Sequence, residues 1–88
     1  MGNGQIEFLS FETALEIVGA IQEEEHLHEP GRRIFTVYDK ADRELCWFDY
    51  EETVADAAPG ARTMKKEEIQ PKVETYILNH IPAWVIPE

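Results

Sequence analysis

Two segments rich in β-branched and aromatic residues, RRIFTVYDK (32–40) and ELCWFDY (44–50), meet at the short polar stretch KADR (40–43). This spacing predicts a β-hairpin, because the apolar runs have strand composition and the junction is too short for anything but a tight reversal. Successive strand side chains alternate between faces, so both faces carry bulk. Phe35 and Val37 oppose Ile34 and Tyr38, and Leu45 and Trp47 oppose Cys46 and Phe48. Strands of this kind lie centrally in a covered sheet or at an interface.

The flanking sequence supplies the other elements. QIEFL (5–9) alternates, with Ile6 and Phe8 on one face, and reads as a first strand. Ser10 suits an N-cap, with Thr13 and Glu16 as an alternative capping box. From Phe11, the apolar residues Ala14, Leu15, Ile17, Val18 and Ile21 form a helical arc, which leaves Glu12, Glu16 and Glu23 on the opposite side. On the same wheel Glu25 falls into the apolar arc, so the helix is expected to end around Glu23–Glu25. Pro30 then disfavours helical geometry at Glu29, leaving "HLH" extended or irregular.

EETVADAAPG (51–60) predicts a short helix stopped by Pro59–Gly60. Pro71 suits the first turn of a last helix, with Val73, Tyr76, Ile77 and His80 on one side. AWVI (83–86) predicts a brief final strand after Pro82. The sum is one α+β domain spanning 1–88, an antiparallel sheet with a central hairpin packed by two main helices. Its order resembles a ferredoxin-like βαββαβ, from which the extra helix and the very short last strand depart.

Composition decides among function classes. A chain of 88 residues that is 43% hydrophobic builds one modest core rather than a deep cleft. Its net charge of −10 is unevenly spread. Residues 1–29 hold seven acids and no Lys or Arg, and residues 44–56 hold five acids and no base. Basic pairs occur only at Arg32–Arg33 and Lys65–Lys66. A phosphate-tracking stripe is missing from this layout, so the expectation is no direct nucleic-acid binding and a basic protein partner instead. The single cysteine, Cys46, excludes an intrachain disulfide framework and fits a reducing cytosol. With no basic n-region, no myristoylation pattern (Ile6 stands where Ser or Thr is wanted) and no long apolar run, the expectation is a cytoplasmic protein without membrane attachment.

Catalytic patterns are not apparent, and no enzyme activity is expected. Ser10 is the only serine and sits where a cap belongs. Cys46 lies beside Trp47 in an aromatic strand, the setting of a small core residue. The glycines match neither a P-loop nor a dinucleotide fingerprint. His26 and His28 would diverge on a helix but share a face when extended, where Glu24 or Glu29 could add oxygen ligands for zinc or nickel. The alternative is a pair of exposed imidazoles among carboxylates that favour their charged forms. His80 is expected to pack beside Tyr76 and Ile77.

Two functional expectations follow. The first is a non-enzymatic interaction module without a cofactor, an inhibitor or regulator of the immunity-protein, antitoxin or phage anti-defence type by analogy of size and acidity. It would dock on a basic protein surface, such as that of a nucleic-acid-binding protein. Glu12, Glu16, Glu23, Glu24 and Glu25 would make contact, with Asp49, Glu51, Glu52 and Asp56 after the hairpin. The second is a metal- or ligand-responsive domain using His26, His28, Glu24 and Glu29. Trp47, Phe48, Tyr50 and Trp84 are further candidates for burying an apolar patch in a homodimer.

Overall fold

The hairpin forms where its composition requires it. In the computed structural model, which describes residues 7–86, β2 (Arg33–Asp39) and β3 (Glu44–Asp49) pair antiparallel. The turn between them is built on Asp39. Its Oδ1 accepts the Ala41 and Arg43 amides at 2.8 and 2.9 Å, and its Oδ2 accepts the Arg43 Nε at 3.0 Å. Asp42 takes the left-handed conformation (φ 65°), which a short polar side chain tolerates. These bonds hold the Asp39 carboxyl below its usual range, the Arg43 amide contributing most.

A third strand comes from an unexpected place. Helix α1 (Phe11–Ile17) starts at Ser10, whose Oγ accepts the Thr13 amide at 3.2 Å, but it lasts only seven residues. From Val18 the backbone is extended, and β1 (Val18–Glu25) pairs antiparallel with β2. The helix expected to reach Glu23–Glu25 therefore ends at Ile17. The local sequence permits both forms, and the ladder to β2 decides for the strand. Leu15, placed on the inner arc by helical periodicity, is half exposed. Gly19 marks a register shift between Val18 and Ala20, where β1 passes close to Asp39 and Lys40. The sheet order is β1-β2-β3.

The stretch HLHEP lies in the irregular turn between β1 and β2. There the His26 amide donates to the Arg32 carbonyl at 2.7 Å, and Glu25 accepts the Gly31 amide at 2.8 Å. Gly31 has φ 87°, a conformation costly for any residue with a Cβ.

Helix α2 (Tyr50–Ala57) follows β3 directly, capped by Asp49, whose Oδ2 accepts the Glu52 amide at 3.0 Å. Helix α3 (Lys66–Leu78) begins five residues earlier than Pro71 suggests. Its start is fixed by Glu68, which reaches back to accept the Lys65 amide at 3.1 Å. Pro71 consequently lies inside the helix, where its missing N–H removes one bond of the helical ladder.

The segments 7–9 and 81–83 pair with each other rather than with the sheet. Phe8 forms a single antiparallel bridge with Pro82, supported by Leu9 N–H to the Ile81 carbonyl at 2.9 Å and Ala83 N–H to the Glu7 carbonyl at 2.7 Å. Gln5 and Ile6 of the expected first strand lie outside the described residues. The expected last strand is instead a 3₁₀ turn, Ala83–Val85. Among the described residues the element order is thus α1-β1-β2-β3-α2-α3 rather than βαββαβ. This is a small α+β domain with a three-stranded antiparallel sheet and three helices.

The core lies between the sheet and the helices. Ala14, Val37, Cys46, Val73, Ile77 and Ile81 are buried in one cluster, joined at its margin by Ile21, Phe35, Phe48 and Val54. Fully burying a Val or Ile side chain contributes roughly 1.5–3 kcal/mol, so Val37, Val73, Ile77 and Ile81 dominate the apolar stabilisation.

Candidate functional site

Cross-strand register determines which acids are available to a partner. Glu23 stands opposite Phe35 on the helix-covered side of the sheet and forms an ion pair with Arg33. Arg33 in turn lies over the Tyr50 ring at 4.1 Å, and Tyr50 stacks on Phe35. Glu24 faces the other way. Its two carboxylate oxygens accept the Thr36 hydroxyl at 2.8 Å and the Tyr38 hydroxyl at 2.7 Å. The bond to Glu24 is the main cause that raises the Tyr38 phenol above its ordinary value. Asp49 holds the α2 cap and also accepts Arg32 Nε at 3.1 Å. Its carboxyl is depressed mainly by the Glu52 amide, with Arg32 adding to the effect.

Of the nine acids expected to form one docking surface, four are therefore engaged inside the fold: Glu23, Glu24, Glu25 and Asp49. Asp56 accepts the Tyr76 hydroxyl at 3.2 Å. Glu12 and Glu16 on α1, and Glu51 and Glu52 in the first turn of α2, are exposed and make no side-chain bond among the described residues. The expected stripe of Glu12, Glu16 and Glu23 does not exist, because Glu23 belongs to a strand.

Three of the four arginines are spent in the same way. Arg32 pairs with Glu29 and Asp49, Arg33 with Glu23, and Arg43 with Asp39. Sequence reasoning missed Arg33–Glu23 and Arg32–Asp49 because they join separate elements across the sheet, whereas Arg32–Glu29 and Arg43–Asp39 are local to their turns.

The histidine cluster is part of the turn. His26 Nδ1 accepts the His28 amide at 3.1 Å, and the His26 ring lies edge-on to Trp47 at 5.3 Å. Arg32 packs over the same indole, also at 5.3 Å. A nitrogen that accepts an amide proton carries none itself and is not free to bind a metal. Among the described residues, no three His, Cys, Asp or Glu side chains stand together as a metal site. His80 donates from Nδ1 to the Tyr76 carbonyl at 2.7 Å and stacks on Tyr76, the packing role expected of it.

Cys46 is buried against the core, and burial with the nearby Glu44 pushes its thiol up to about 11. It is protonated at neutral pH. Of the aromatics considered for self-association, Phe48 and Tyr50 are half-buried on the helix side, whereas Trp47 and Trp84 are 43% and 67% exposed.

A groove of about 260 Å³ opens between β1, α2 and α3. Ile21, Phe35, Val54, Ile69 and Val73 form its apolar floor, and Glu23, Tyr50, Lys66, Gln70 and Glu74 stand around it. No sequence motif pointed to it, since its lining comes from four separate elements. No helix of the described residues is long and apolar enough to cross a membrane. The chain matches no protein-family model, no curated protein and no solved structure.

Proposed function

We propose that this chain is a non-enzymatic protein-interaction module, an inhibitor or regulator that docks an acidic surface on a basic protein site. The carrying observation is a set of exposed carboxylates on two helices that the fold leaves unbonded. The sheet arginines are neutralised by internal acids, so Glu12, Glu16, Glu51 and Glu52 stay exposed without a basic partner among the described residues. A site that ordinarily holds nucleic acid is a natural counterpart, because it presents the clustered Lys and Arg that such a surface would meet. The protonated Cys46 thiol and the structural use of Asp49 and Glu24 are consistent with a binding role.

Affinity capture from the source organism tests this reading. The immobilised protein should retain a basic protein at low salt and release it as salt is raised, since exposed charges are screened. The same bait carrying Glu12→Lys, Glu16→Lys, Glu51→Lys and Glu52→Lys should retain none of it. Equal retention by the folded variant overturns the proposal.

A further inference from the structure

The open edge of β1 and the groove beside it carry an inference that rests on the acidic-module reading. In the order β1-β2-β3, β1 is hydrogen-bonded along one side only among the described residues. The His26 amide bonded to the Arg32 carbonyl sets the phase of the ladder, because paired residues of an antiparallel sheet exchange bonds at alternate positions. Gln22 and Glu24 therefore turn their backbone groups toward β2. Ile21, Glu23 and Glu25 turn theirs outward.

The side chains of Ile21 and Glu23 point to the helix side, where they line the groove together with Ile69, Gln70 and Val73 of α3. No α1 residue lines it. Edge and groove thus run side by side. A segment added to β1 would satisfy the outward amides and carbonyls, and every second side chain would project between β1 and α3.

We propose that this edge accepts an extended segment of a partner protein as a fourth strand, with an apolar side chain beside Ile21 and Lys or Arg beside Glu25, whose carboxylate has no cationic partner among the described residues. Main-chain bonds would supply affinity and the alternate side chains specificity. Charge selects this occupant over a second copy of the chain. Each copy carries a net charge of −10 and would bring its own Glu25 to the contact. Acidic residues on an edge strand guard it against self-pairing while leaving it open to a basic strand.

The test uses the full chain, isotope-labelled, and the blocked peptide TKTTTVT at low salt, whose Lys and Val fall on one face, four residues apart like Glu25 and Ile21. Backbone amide shifts should concentrate on Ile21, Glu23, Glu25 and the facing turns of α3. The same peptide N-methylated at every residue keeps its charge but has no amide proton to give to the β1 edge, and should bind at least tenfold more weakly. Glu23→Pro, which removes an outward amide that takes no part in the ladder, should abolish binding, whereas Glu23→Gln should weaken it only a few-fold. Should Glu23→Pro fail to fold, the N-methylated peptide on the wild-type chain still decides. Equal binding by the N-methylated peptide, shifts confined to α1 and α2, or no binding overturns the edge site. The first two outcomes, if salt-sensitive, leave the acidic-module reading standing. A dimer that Glu23→Pro dissociates would assign the edge to a second copy and overturn the proposal.

Discussion

Gly19 passes so close to Asp39 that a Cβ built on it would lie 2.6 Å from the Asp39 carbonyl oxygen and 2.9 Å from the carbonyl carbon. Both atoms are backbone and cannot swing aside, so even a methyl group must displace a strand. Gly19→Ala should therefore destabilise the protein by roughly 1–3 kcal/mol, the usual cost of overpacking. The sign is informative. Were residues 18–25 helical, the same change would stabilise by about 1 kcal/mol, because Ala is the better helix former. Thermal denaturation of the two proteins distinguishes the cases.

The same position shows how far the fold was legible in the sequence. The β2–β3 hairpin was readable because Ile34–Tyr38 and Leu45–Phe48 are dense in strand formers on either side of a polar turn. The end of α1 was not. Ala14, Leu15, Ile17, Val18 and Ile21 fit a helical arc, and only pairing with distant residues of β2 makes 18–25 a strand. The adjacent Val18 and Gly19, both poor helix formers, were the available local warning. The start of α3 was hidden for another reason: Lys65 offers no side-chain acceptor, and Glu68 reaching back is half of a capping box. For the candidate site, acidity was plain from the sequence. The distinction between Glu12, which is free, and Glu23, which is paired with Arg33, depends on register alone.

Acid should weaken the fold through Asp39 and Asp49. Both carboxyls are depressed in the folded protein, first by backbone amides and then by Arg43 and Arg32. A depressed carboxyl contributes stability that is present above its unfolded value and lost as pH falls through the folded one. The melting temperature should therefore drop as pH is lowered below about 4, the ordinary aspartate range. Asp39→Asn with Asp49→Asn should start less stable at neutral pH and show a shallower fall. A fall as steep as that of the wild type would mean that other carboxylates carry the effect.

Cys46 should resist alkylation. Its thiol is buried and raised to about 11, so little thiolate exists at neutral pH. Iodoacetamide should modify the native protein far more slowly than the same protein in denaturant, as followed by mass spectrometry. Equal rates would place Cys46 outside the core.

Zinc should bind weakly. His26 Nδ1 already accepts the His28 amide, and its ring is packed against Trp47. Calorimetric titration near neutral pH should give no tight one-to-one isotherm, and His26→Ala with His28→Ala should change the heats little. A tight site abolished by that double substitution would favour the metal-responsive function over the acidic module.

The association rate of the captured basic partner, measured across a range of salt concentrations, tests the acidic module most directly. Electrostatic complementarity acts chiefly on the encounter rate and is screened by salt. For the wild type, association should slow steeply as salt rises. Replacing Glu12, Glu16, Glu51 and Glu52 by Lys should lower the low-salt rate at least tenfold and flatten its salt dependence. Thermal stability should change little, because exposed charges contribute little to folding. A folded quadruple variant that associates at the wild-type rate, with the wild-type salt dependence, would contradict the account.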